Sequence, residues 1–143
     1  MRSCTAQIAS LVFATASGLK VGLLADLHGN PDYNSQASPD DRCVGSNSAT
    51  NHLDEAPLGR YDCDGGEPLI RAMLEHYRDT FGKPDVLLVG GDHVGHVYDY
   101  WSDIKPVLAF SNDLVKEYFP DTYVLTSIGN NDTEAHDQAP SEI

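Results

Sequence analysis

Three short apolar runs along the chain each break off at polar residues with ligand-type side chains. They are "LKVGLLAD" (19–26), "PDVLLVGGD" (84–92) and "DTYVLTSIG" (121–129). Branched apolar residues bounded by Gly, Pro or Asp predict buried strands. Between the first two, "EPLIRAMLEHYRDTFG" (67–82) places Leu69, Ile70, Met73, Leu74, Tyr77 and Phe81 at helical spacing. Pro68 suits a first turn and Gly82 a stop, so the pattern predicts a helix with that face in the core. A weaker helical face runs through Val107, Leu108, Leu114, Val115 and Tyr118 in "DIKPVLAFSNDLVKEYF" (103–119). The order β-α-β-α-β predicts parallel strands joined by right-handed crossovers, hence a layered α/β fold.

Residues 29–66 show neither period and are rich in Gly, Asn, Ser, Pro and Asp. A loop of that length inside a compact domain is uncommon and usually functional. Cys43 and Cys63 sit inside it and are expected to form a disulfide that staples it to the surface.

At the N-terminus, Arg2 precedes an apolar stretch from Ala6 to Ala14, followed by the small-x-small tripeptide Ala14-Thr15-Ala16. This reads as a secretory signal over residues 1–16, with a single domain over 17–143. Cys4 would leave with the signal and the mature chain would keep an even cysteine pair, as an oxidising compartment favours. No apolar stretch is long enough to span a bilayer. The expected location is therefore secreted, extracellular or lysosome-like. With 143 residues the chain makes one domain at most, and its net charge of −13 argues against nucleic acid or anionic membranes as partners.

Chemistry gathers at the ends of the strands, where open α/β sheets collect their ligands. Asp26 and His28 follow the first run, Asp92 the second and Asn130 the third. Carboxylate, imidazole and amide donors form a hard-to-borderline set suited to Zn, Fe or Mn. The Asp-x-His spacing aims both side chains to one side if the chain turns at Leu27, and Gly91 and Gly129 allow close backbone approach.

Asp-x-His, Gly-Asp and Gly-Asn-x-Asp in this order resemble the calcineurin-like metallophosphoesterases. Within them, "YDCDGGEPLI", "PDVLLVGGDHVGH" and "FPDTYVLTSIGNNDTEAHDQAP" are most similar to acid sphingomyelinase-like phosphodiesterases. The resemblance covers about residues 20–140. It implies a layered metallophosphoesterase-like fold and a centre of two divalent ions, zinc first, with Fe or Mn as alternatives. Asp26 and His28 would hold the first ion, Asp92 would bridge both and Asn130 would hold the second. Two ions roughly 3.5–4 Å apart clamp a phosphoryl group during in-line attack. His96 would lie near the substrate phosphate, whereas His93 matches no role and is expected at the surface. The implied substrate is a phosphodiester, such as a lipid of the sphingomyelin type or a nucleotide.

Two departures accompany the resemblance. Relatives often carry histidine between the Asn and Asp of the third motif, where it can protonate the leaving oxygen; Asn131 stands there and cannot. Asn131-Asp132-Thr133 also matches a glycosylation sequon, and a glycan there would block the site, so the match reads as accidental. The family's downstream Gly-His-x-His ligands have no counterpart, and His136 lies too close to the third motif to serve. The chain is thus expected to be the N-terminal part of a catalytic domain, with one sheet edge unpaired. A secreted acidic protein that binds metal or ligand without hydrolysis is the alternative expectation.

Overall fold

A computed structural model describes residues 18–45 and 54–134. The proposed signal segment, its cleavage tripeptide and His136 lie outside the described residues. The elements run β1 (Val21–Leu24), β2 (Gly29–Asn30), β3 (Gly65–Gly66), α1 (Glu67–Phe81), β4 (Val86–Val89), α2 (Trp101–Tyr118) and β5 (Tyr123–Thr126). β1, β4 and β5 form a parallel sheet in that order, so the predicted β-α-β-α-β arrangement is the observed one.

The strands are shorter than their apolar runs because each run bends away where its ligand-bearing residues begin. Register aligns Val21 with Val86 and Tyr123, and Leu23 with Leu88 and Leu125. Alternation sends Leu87 and Val89 into a core with Ile70, Leu74, Leu114, Val115 and Phe119, where both helices cover one sheet face. The opposite face stays bare: Leu23 is 70% exposed and Leu125 54%. Parallel strands are ordinarily covered on both faces. The runs read as fully buried strands are therefore buried on one side only among the described residues.

α1 corrects a second expectation. Ile70 and Leu74 are buried, but Leu69, Met73 and Phe81 are exposed. Only the stripe pointing at the sheet is covered, and the flanking apolar positions of the same face have nothing against them. α2 begins two residues earlier than its apolar pattern, at Trp101, because the polar first turn carries no periodic signal.

The unpatterned loop is pinned at both ends. Cys43 and Cys63 form the expected disulfide, with Cα atoms 5.7 Å apart and Cys43 fully buried. Just after it, β3 pairs in parallel with β2, which follows His28 directly. Gly29 also bridges Val94, so three segments distant in sequence meet at the carboxyl end of the sheet. Among the described residues no helix is long and apolar enough to cross a membrane.

Candidate metal centre

Asp26, His28 and Asp92 each offer one ligand atom, and the three atoms lie within 4.8 Å of one another. All three residues take positive φ, at 56°, 42° and 49°. Side-chain-bearing residues rarely adopt that region, at a cost of about 1–3 kcal/mol each, and such strain gathers at functional sites. Here backbone bonds impose it. Asp26 N–H donates to Gly91 O at 3.2 Å and His28 N–H to Asp92 O at 2.9 Å. The two strand-end turns are thus laced together, and the buried Leu27 anchors the first of them. As the spacing predicted, Asp26 Oδ1 and His28 Nε2 end up 3.9 Å apart.

The two glycines expected to permit close approach do so. A Cβ on Gly91 would sit 2.5 Å from Gly129 N, and one on Gly129 would sit 2.2 Å from Asp92 Oδ1. Both contacts are with backbone or with the candidate ligand itself, so neither could yield cheaply. Asn130 opens the turn after Gly129 and is exposed. Asn131 is not presented to solvent: its side chain is 3% exposed, and its backbone N–H donates to Asp92 Oδ1. That burial also leaves no room for a glycan on the folded chain.

His96 lies beside this group. Its ring stacks on His28, with centroids 4.5 Å apart and planes 6° from parallel. Asp64 holds it twice: Oδ2 accepts the His96 N–H and Oδ1 lies 2.7 Å from Nδ1, also at 2.7 Å for the first bond. His28, Asp64 and His96 form a second set of ligand atoms within 4.8 Å of one another. A shallow cavity of about 300 Å³, lined by Arg42, Asp62, Cys63, Asp64 and His96, opens there.

His93 corrects its surface expectation. It is 3% exposed, with Nε2 2.7 Å from Thr126 Oγ1. The strand-end loop folds back over α2, and Ser111 Oγ donates to the His93 carbonyl at 3.0 Å. Sequence reasoning gave no role to Asp64, Asp132 or Tyr98. Asp64 lay in plain view in "CDGG", but only the disulfide loop reveals what it faces. Tyr98 donates to the buried Asn30 Oδ1 at 2.8 Å and lies 2.9 Å from Asp32 Oδ2. Burial first, and then the bond to Asp32, push its phenol above the ordinary range.

The residues present suit divalent metal. His28 Nδ1 is buried with no hydrogen-bond partner, and two carboxylates share its pocket. Unpaired polar atoms and close carboxylates are each unfavourable without a cation. Oxygen and imidazole donors fit Zn, Mn or Fe.

No family model matches the chain. It is 34% identical over 122 residues to acid sphingomyelinase-like phosphodiesterase 3b of Mus musculus, covering 83% of this chain and 26% of that protein. The Homo sapiens protein of that name is 33% identical over 121 residues, covering 82% and 26%. Endopolyphosphatase of Schizosaccharomyces pombe is 31% identical over 133 residues, covering 79% and 22%. The chain thus spans about a quarter of the length of the relatives it matches. With a third of positions shared across four-fifths of its own length, the chain belongs to the acid sphingomyelinase-like phosphodiesterases, within the calcineurin-like metallophosphoesterases.

Proposed function

We propose that this chain carries the metal-holding half of a secreted or lysosome-like phosphodiesterase. The observation that carries the reading is the convergence of Asp26, His28 and Asp92, each held at positive φ, on one small volume. In this reading Asp26 and His28 hold a first divalent ion, Asp92 extends toward a second, and Asn130 supplies that ion with an amide oxygen. Zinc is the first choice, for its tolerance of mixed nitrogen and oxygen donors. When bound, such ions supply Lewis-acid polarisation of the phosphoryl oxygens.

The protein's own contribution is positional. Asp92 has one oxygen engaged by Asn131 N–H, which fixes the carboxylate and leaves Oδ2 for cation. His96, partly exposed and clamped by Asp64, faces the cleft where a phosphate would lie. Asn131 supplies no proton to a leaving group, both as an amide and by its burial. The substrate class is a phosphodiester, with a lipid headgroup or nucleotide as candidates. Residues 1–16 would direct the chain into the secretory route, leaving the phosphoesterase portion from residue 17.

Hydrolysis of bis(p-nitrophenyl) phosphate by the full chain with Zn²⁺ or Mn²⁺ tests the reading. Activity lost in Asp92→Ala supports it. Metal binding with no hydrolysis would instead make the chain a binding protein. Metal affinity unchanged in Asp92→Ala would remove Asp92 from the centre.

A further inference from the structure

His28 belongs to two ligand sets at once, Asp26–His28–Asp92 and His28–Asp64–His96. A neutral imidazole has a single lone pair, since its other nitrogen carries the proton. His28 can therefore complete one set or the other, not both. The sets differ in chemistry: the first offers two carboxylates and one imidazole, the second two imidazoles and one carboxylate.

We infer that His28, Asp64 and His96 form a second, nitrogen-rich metal site that takes zinc-like ions, while Asp26, His28 and Asp92 take manganese-like ones. The identity of the ion would then decide which way His28 is used. Borderline-soft Zn²⁺ favours imidazole and commonly sits on three protein ligands with water in the open position. Mn²⁺ favours oxygen donors.

Three observations support the nitrogen-rich set beyond proximity. Asp64 is buried and engages His96 through both its oxygens, so ring and carboxylate are already held together. The stacked His28 ring is fixed alongside, with Nδ1 buried and unpartnered. His96 has a side chain 46% exposed, which gives an ion an entry path and room for water. Little ordering remains to be done when the ion arrives. The inference concerns metal occupancy alone, so a chain that fails to hydrolyse any substrate leaves it untouched.

Co²⁺, as the visible-absorbing substitute for zinc, and Mn²⁺, followed by paramagnetic resonance, test it on the full chain. His96→Gln should weaken Co²⁺ binding at least about tenfold, since even the loss of an outer partner commonly costs that much. It should leave Mn²⁺ binding unchanged. Asp26→Asn should do the reverse, and His28→Gln should weaken both. Both His96 and Asp26 have exposed side chains, so these variants should fold; Asp64→Asn, at a buried position, is the supporting variant and is checked by circular dichroism. The inference is overturned if Co²⁺ fails to bind, if His96→Gln leaves its affinity intact, or if His96→Gln and Asp26→Asn affect both ions alike.

Discussion

Asp92 Oδ1 accepts the backbone N–H of Asn131 at 2.9 Å. The exchange is mutual, because Asp132 reaches back: Oδ1 accepts His93 N–H at 2.8 Å and Val94 N–H at 3.1 Å, and Oδ2 accepts Gly129 N–H at 2.8 Å. A carboxylate from each strand-end motif thus fixes the backbone of the other. The arrangement sets the position of Asp92 more firmly than the short β4–β5 ladder alone.

Asp132→Ala should therefore be among the most damaging single substitutions in the chain. It leaves three backbone donors without their acceptor in a buried place, at a cost of about 3–5 kcal/mol. Asp132→Asn keeps acceptor capacity and should cost less. Urea unfolding with matched m-values checks both. A loss under 1 kcal/mol for the alanine variant would mean that water reaches these donors freely.

The disulfide should matter to the site as well as to the fold. Cys43 and Cys63 are separated by 20 residues, a closure worth about 3 kcal/mol in the chain-entropy model. Cys63 immediately precedes Asp64, which holds His96. Reduction, or Cys43→Ser with Cys63→Ser, should lower the unfolding midpoint and broaden the His96 ring resonances in an NMR spectrum. The His76 resonances, on the far helix, should stay unchanged.

Much of the fold was legible because periodicity reports burial. Leu87 and Val89 alternate, and Ile70 and Leu74 recur at helical spacing, so three strands and two helices followed. What periodicity could not report was whether a second layer exists. Leu23 and Leu125 look as apolar as Leu87 and yet face outward. The candidate ligands were legible from their place at strand ends, and the glycines from their spacing to them. Asp64 was not, because its partner His96 is 32 residues away and is reached through an aperiodic loop. His93 was misread because a histidine beside a glycine in a loop looks exposed. Its burial depends on Thr126 and Ser111, on two other elements.

Alkaline pH should destabilise the chain through Tyr98. Its phenol is pushed above the ordinary value of 10.0 in the folded state, chiefly by burial. Above about pH 10 an unfolded chain gives up this proton while the folded one keeps it. Stability from this group is complete below that pH and is lost as pH rises toward the folded value. Tyr98→Phe should lower stability at neutral pH by about 1 kcal/mol, through the lost bonds to Asn30 and Asp32. It should also flatten the decline above pH 10. Thermal midpoints of both proteins between pH 8 and 11 check this, and parallel declines would assign the alkaline loss to other tyrosines.

Asn131 supplies the last test, because its two halves do different things. The side chain is buried, whereas the backbone N–H holds Asp92. Replacing it with histidine, the residue common in relatives, enlarges a packed side chain and should cost about 1–3 kcal/mol by overfilling. The backbone donor survives the change, so Asp92 should keep its orientation and Mn²⁺ should still bind. Asn131→Pro removes the donor itself and should weaken Mn²⁺ binding beyond any loss explained by stability. Chemical denaturation and Mn²⁺ titration of both variants separate the effects. If histidine abolished Mn²⁺ binding while the protein stayed folded, the side chain rather than the N–H would be what positions Asp92.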